Sequence, residues 1–500
     1  MLTIGGNPYH PSSCYPYLNF DTPLEDAYKT FGYAAGEGNT VRATLCGRGQ
    51  ATQDSYAHAD RITTPLKRAG KRGEGKWQAI GWDQLIEEVV EGGKLFADLG
   101  EDQEVVGFRG LHDTATPMDP TQPDLGPISN QLVQLGGRAD GRTVFGSRFV
   151  NAYGSVNTYG HGSSCGGPQA MREFTENGGA LLCQSDVENA EYILWMGTFP
   201  GANGRNFQSI AKRASQLLRK GAKMDVLDPV LGGGIVTPSA QNIKWVPIRA
   251  DADVEFSLAV IRWMMENGRV NTTFVSYPNY QAAYAAGYAS YTNATHLVIV
   301  DPANANYLKL LSAADAGLET PASVTDATKC DVVIDAATGQ PAVYLNSTAA
   351  QLEYEGEVNG IKVRTGYLFL KDNVNEHTMD EYSQMCGVPI AEIERIADEF
   401  TSHGVKSSAR GIGSTVVVNG IGATQAFRTL NALIGANQMV GGLLPFRNTF
   451  KTMGDAPRYK LATIAGSPKL TAQAISRTNK LFQKTKEYEN RVAAGEKNPQ

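Results

Sequence analysis

Apolar and polar positions change rhythm several times along this chain, and each change marks an element. Between Tyr192 and Met265, short apolar runs alternate with amphipathic stretches. Tyr192 to Met196, Met224 to Leu227 and Ile243 to Ile248 read as buried strands, and Asn206 to Arg219 and Asp253 to Glu266 as helices. Strand and helix in strict alternation predict an α/β fold with a doubly wound, Rossmann-like sheet. Earlier, Leu85, Ile86, Val89, Val90 and Leu95 recur at roughly the helical period with acids between them, which predicts a helix over Trp82 to Phe96.

The later chain keeps the α/β texture. Thr295 to Val300 and Val363 to Leu370 read as strands; Thr378 to Cys386, Ile390 to Phe400 and Ile421 to Ile434 read as helices stopped by Gly and Asn. The first 72 residues, rich in Gly, Pro, Tyr and Asn, read as loops and short strands. Past Lys451 the pattern turns polar and charged and reads as a linker. No repeat of solenoid period and no low-complexity tract interrupts this order.

Composition narrows the classes. With 500 residues and 42% apolar content, the chain has material for two or three packed cores. Its 45 basic against 51 acidic residues leave a net charge of −6 with no basic stripe among aromatics, so no nucleic-acid partner is expected. The most apolar helical stretch, Phe256 to Met265, contains Arg262 and is far shorter than the about 20 residues a membrane span needs, so a soluble chain is expected. Nothing after Met1 reads as an export signal, which taken literally means cytoplasm.

Three loops on the expected sheet carry candidate ligand chemistry. Strand Tyr192 to Met196 runs into Gly197-Thr198-Phe199-Pro200-Gly201-Ala202-Asn203-Gly204, a turn in which backbone amides can approach a phosphate; a plain loop fits the same residues. The next strand ends at Asp228-Pro229, where an acid grips a ribose hydroxyl or caps a turn. The third exits through Arg249-Ala250-Asp251-Ala252-Asp253, and Asp253 either caps the following helix or accepts two N–H groups from a guanine edge.

The six cysteines (Cys14, Cys46, Cys165, Cys183, Cys330 and Cys386) form no C-x-x-C pair. Cys165 stands apart, in Gly160-His161-Gly162-Ser163-Ser164-Cys165-Gly166-Gly167-Pro168, among small and polar residues rather than the Leu, Ile and Val that surround a core thiol. A soft thiolate there suits a metal already carrying sulfur donors. His161, four residues earlier, lines the same pocket or is a surface histidine. Arg172 and Arg148 flank the segment as cationic guides for an anion or as ion-pair partners. Cys46, in Leu45-Cys46-Gly47-Arg48, has only Cys14 near it, and an iron–sulfur cluster needs about four cysteines.

Read in order, these segments resemble the dimethyl-sulfoxide-reductase superfamily of molybdenum bis-pterin enzymes. Pro65-Leu66-Lys67-Arg68, Arg72-Gly73-Glu74-Gly75-Lys76-Trp77 and Trp82-Asp83 are similar to the stretch after the fourth cluster cysteine of that family. Ile4 to Pro11, Asn130-Gln131-Leu132 and Gly136-Gly137-Arg138 resemble the tetrathionate reductase type; arsenate, thiosulfate and polysulfide reductases share the cysteine-ligand layout.

The resemblance implies a function: reduction of a sulfur oxyanion such as tetrathionate at molybdenum bound by two molybdopterin guanine dinucleotides. It implies Cys165 as molybdenum ligand, with His161 and Arg172 as catalytic candidates beside it. Gly197, Pro200, Asn203, Asp228, Pro229 and Asp253 become dinucleotide contacts. Cys46 becomes the fourth ligand of a 4Fe-4S cluster whose other three cysteines precede Met1, and Arg48 lies between cluster and pterin.

It further implies two partners on the periplasmic side of the membrane, a ferredoxin-like iron–sulfur electron-transfer protein and a quinol-oxidising membrane anchor. Residues 1–76 become a remnant of an iron–sulfur domain, 77–170 with 375–450 one α/β domain, 171–374 a second, and 451–500 a linker toward a C-terminal β-barrel. A gene fragment, a mis-called start or a subunit split in two chains accounts for the missing parts.

Overall fold

The computed structural model describes residues 4–10, 13–14, 17–31, 43, 49, 51–137, 143–176, 182–199, 207–232, 240–417, 419–446 and 482–496. The backbone divides into two compact units, one of residues 51–163 with 449–500, the other of 1–50 with 164–448. Among the described residues no helix is long and apolar enough to cross a membrane.

In the first unit a short antiparallel hairpin, β1 (Leu66–Arg68) and β2 (Trp77–Ala79), leads into helix α1 (Trp82–Glu91). The expected helix to Phe96 stops early, because Gly92 (φ 74°) and Gly93 (φ 115°) adopt backbone open to glycine and pair with Val106 and Val105. Lys67 with Glu88 of α1 and Arg68 with Glu101 beyond it tie the hairpin down, at 2.8 and 2.6 Å. Strands β3 (Gln134–Gly136) and β4 (Thr158–Gly160) pair in parallel across helix α2 (Thr143–Tyr153). The tail expected as an uncapped linker holds a helix at Lys486–Ala493, with Thr485 accepting the Tyr488 N–H.

The second unit is built on a four-stranded parallel sheet. Helix α3 (Gly167–Glu176) and strand β5 (Leu182–Ser185) lead to β6 (Tyr192–Met196), α4 (Phe207–Arg219), β7 (Lys223–Leu227), β8 (Ile243–Val246) and α5 (Asp253–Glu266). An antiparallel subdomain follows: β9 (Leu297–Ile299), β10 (Val332–Ile334), β11 (Pro341–Val343), β12 (Glu355–Val358) and β13 (Ile361–Thr365). Helices α6 (Gly366–Val374), α7 (Met379–Cys386) and α8 (Ile390–Thr401) return the chain to strand β14 (Ser407–Gly411) and helix α9 (Gly420–Leu433).

The sheet order is β8-β7-β6-β14, every pair parallel. Alternate β6 side chains feed opposite cores. Ile193 and Trp195 pack with Leu217 and Leu218 of α4, and Tyr192, Leu194 and Met196 join the apolar faces of α5, α8 and α9. Helices therefore cover both faces, and the expected α/β class holds.

A further expectation changes. Val363 to Leu370 is not one strand: β13 ends at Thr365, where the alternation of a hairpin strand gives way to the helical period of α6, and the apolar run Tyr367 to Leu370 is helical. Pairing of β14 with β6 puts residues 407–411 in one sheet with 192–196.

Candidate functional site

The carboxyl ends of the four strands form one row, because Gly411, Met196, Leu227 and Val246 are successive partners across the sheet. The loops after them therefore leave from one edge. Ligands in parallel α/β sheets sit outside this edge, where neighbouring strands send their chains to opposite faces. Here that place lies between β6, which continues toward α4 on one face, and β14, which continues to α9 on the other.

Gly197 has φ 60°, and a Cβ there would stand 2.4 Å from the Ser414 amide nitrogen. A Cβ on Gly413 would stand 2.1 Å from the Gly197 carbonyl oxygen. The two turns touch closely: Gly413 N–H donates to the Gly197 carbonyl at 3.1 Å, and Ile412 N–H donates to the Thr198 side chain at Oγ1, at 3.2 Å. Only glycine permits this approach. Beside it, the Ser414 hydroxyl is buried and finds no hydrogen-bond partner among the described residues, an orphan that a bound polar group would satisfy.

Two acids occupy the other half of the edge. Asp228 Oδ1 accepts the Val230 N–H at 3.0 Å, the turn role anticipated for it, while burial raises its carboxyl above the usual range; Pro229 is exposed. Asp253 does not cap α5. Ala252 holds the cap position without a side-chain bond, and Asp253 is the first helical residue. Burial pushes its carboxyl up to about 7, its own backbone N–H offsets part of this, and Asp251, Asp228 and Glu255 add like charge. Asp251 is held at φ 66°, outside the region most side chains adopt. A buried acid with so few donors suits a ligand that brings N–H groups of its own.

Cys165 is a free, half-buried thiol two residues before α3. Two contacts hold that helix start at the sheet edge. Gln169 Nε2 donates to the Gly411 carbonyl at 3.3 Å, and Pro168 lies against Gly420, where an added Cβ would come within 3.1 Å of it. The thiol thus precedes by four residues a side chain anchored at the end of β14. Arg172, half-buried, is one turn further along α3.

His161 is exposed in a short turn (His161–Ser164) that belongs mostly to the first unit, as does half-buried Arg148 in α2. Cys46, Arg48, Pro200 and Asn203 lie outside the described residues. Sequence reasoning missed the β14 loop, Gly411 to Thr415. Its signal is present as Gly411-Ile412-Gly413 followed by a helix, but the strand before it, Ser-Ser-Ala-Arg-Gly, lacks an apolar run.

No family model matches the chain. A tetrathionate reductase subunit of Salmonella typhimurium is 35% identical over 511 residues, covering 99% of this chain and 48% of that protein. A selenate reductase subunit of Mesobacillus selenatarsenatis is 30% identical over 507 residues, covering 91% of this chain and 46% of that protein. A thiosulfate reductase molybdopterin-containing subunit from Salmonella typhimurium is 26% identical over 46% of this chain and 26% of that protein. The chain is thus homologous along nearly its whole length to reductase subunits, as its motifs imply. It spans about half the length of the tetrathionate and selenate reductase relatives.

Proposed function

We propose that this chain is the dinucleotide-holding part of a molybdopterin oxidoreductase catalytic subunit that reduces a sulfur oxyanion such as tetrathionate. The observation that carries the reading is the convergence on one sheet edge of the Gly197–Gly413 backbone contact, buried Asp253 and the helix start that bears Cys165. The kinship with a tetrathionate reductase supports the substrate class.

The residues present fit a bis(molybdopterin guanine dinucleotide) group. The Gly197–Gly413 contact holds the two turns together at the sheet edge, and the orphan Ser414 hydroxyl offers a polar contact to a phosphate or pterin. Gly197, Asp228 and Pro229 would contact the dinucleotide, and Asp253 would accept the N–H donors of a guanine edge. Pro200 and Asn203 continue the Gly197 turn in sequence. Cys165 supplies a thiolate to molybdenum. The doubly wound, Rossmann-like description applies to the sheet that presents these loops.

When bound, the metal group supplies two-electron redox chemistry; the protein supplies position and electrostatics. Tetrathionate takes up two electrons, its central S–S bond breaks, and two thiosulfates leave. An anionic substrate is drawn by cations, for which Arg172 is the candidate on α3, with His161 as the further candidate in the preceding segment.

Electrons would reach the site through a 4Fe-4S cluster to which Cys46 would contribute one ligand together with cysteines from upstream of it, Arg48 being the basic residue two positions on in sequence. They come from a ferredoxin-like protein and a quinol-oxidising membrane anchor at the periplasmic face of the membrane.

The selenate reductase relative favours a second reading, a selenium oxyanion as substrate with the same residues in the same roles. Assaying both reductions with a dye donor separates the two. Molybdenum and pterin analysis of the chain purified from molybdate-fed anaerobic cells tests the shared premise: molybdenum with about two pterins per metal is expected, and a chain free of both overturns it.

A further inference from the structure

Within the unit of residues 51–163 and 449–500, three separate segments bring apolar side chains to one open groove. Ile62, Pro65 and Leu66 come from the chain leading into β1, Trp77 from β2, and Trp82 with Leu85 from α1. The groove has a volume of about 650 Å³, and no charged side chain lines it. Ile62 is 73% exposed, Trp77 60% and Trp82 65%. Helix α1 is amphipathic in sequence, yet none of its residues is buried. Single exposed apolar residues are ordinary on a protein surface; two tryptophans and an isoleucine converging from three segments are not.

We infer that this groove is the docking face for polypeptide homologous to the part of the longer relatives that this chain does not match. The observations favour that occupant on two grounds. The chain spans 48% and 46% of the two relatives, so a comparable length of polypeptide lies outside the matched part in each of them. The face also has the composition of a buried interface centre, aromatic and depleted of charge, with its cations already paired at the margin as Lys67–Glu88 and Arg68–Glu101. The inference rests on the kinship with longer relatives and does not depend on cofactor or substrate.

The test mixes the purified 500-residue chain with the unmatched portion of the Salmonella typhimurium tetrathionate reductase subunit, made as a separate polypeptide, and follows sedimentation. A one-to-one complex is expected, weakened at least about tenfold by Trp77→Lys and by Trp82→Lys, as for aromatic anchors of an interface. Tyr284→Lys, at an exposed position of the other unit, leaves it unchanged. Circular dichroism of each variant and of the separate polypeptide establishes that each folds before they are mixed. Absence of a complex with the unaltered chain, or affinity in both tryptophan variants equal to that of the unaltered chain, overturns the inference. So does self-association of the unaltered chain that both variants abolish, which would give the face to a second copy. Because sedimentation needs no metal, a failure here is distinct from a failure to find molybdenum and pterin.

Discussion

Gln169 Nε2 donates to the carbonyl oxygen of Gly411 across 3.3 Å, joining residues 242 positions apart in sequence. Both partners are buried, and the bond fixes the start of α3 against the carboxyl end of β14. It is one link between the cysteine segment and the sheet edge, Pro168 against Gly420 being another. Gln169→Leu removes this donor while Arg410 Nη1 still donates to the same carbonyl at 2.8 Å, so a loss of about 0.5–1.5 kcal/mol in urea unfolding is expected. The same variant should retain less cofactor, measured as pterin per protein.

At the β6–β14 contact the geometry leaves no volume for a methyl group. Gly413→Ala would place its Cβ 2.1 Å from the Gly197 oxygen, and backbone on both sides must shift. A cost of about 1–3 kcal/mol is expected from overpacking. Gly221→Ala offers a contrast: nothing lies near its Cβ, so its cost comes only from its φ of 97°. The two denaturation midpoints, compared with cofactor retention, separate strain from a damaged site, because only Gly413→Ala should lose pterin.

Asp253 predicts a pH dependence. Its carboxyl sits at about 7 in the fold, above an unfolded value near about 3.9. The native state therefore holds a proton that the unfolded state releases. Its stabilising share is full below about pH 4 and is lost as pH rises toward about 7. Cofactor-free protein should thus lose a few kcal/mol of stability over that window, and Asp253→Asn should flatten this part of the profile. Thermal melts at stepped pH measure it. A guanine bound through two N–H groups would favour the carboxylate, so the slope should shrink in the loaded protein.

Away from the site, Thr378 and Glu381 form a reciprocal cap at the start of α7, each side chain accepting the other's backbone N–H. Thr378→Ala should cost about 1 kcal/mol and leave cofactor content unchanged, read in parallel urea and metal assays.

Much of this architecture is legible in the residues because burial on both faces writes a continuous apolar run. Tyr192 to Met196 is such a strand, and all five residues are buried. β14 is equally buried yet unreadable, since Ser-Ser-Ala-Arg-Gly stays in the core with Ser408, Ala409 and Arg410 hydrogen-bonded there, while the Ser407 hydroxyl finds no partner among the described residues. Ser408 Oγ donates to Ser185 Oγ at 2.8 Å, and Asn431 bonds both the N–H and the carbonyl of Ala409. Hydropathy cannot register partners that lie far apart in the chain.

The same limit explains the site. Cys165 stands out because its neighbours are small and polar, and Gly197 because a strand precedes it. Gly413 becomes meaningful only once β14 is known to lie beside β6. Asp253 shows the opposite: its position at a helix start suggests a cap, and burial beside other acids, which no local pattern encodes, gives it a different character.

The central claim is that the sulfur of Cys165 is a ligand of molybdenum held at this sheet edge. X-ray absorption at the molybdenum edge counts sulfur neighbours directly, in the unaltered chain and in Cys165→Ser. The account predicts one fewer sulfur in the variant, with a lighter donor in its place and pterin retained. An unchanged sulfur count, or a preparation that holds no molybdenum in either form, would contradict it.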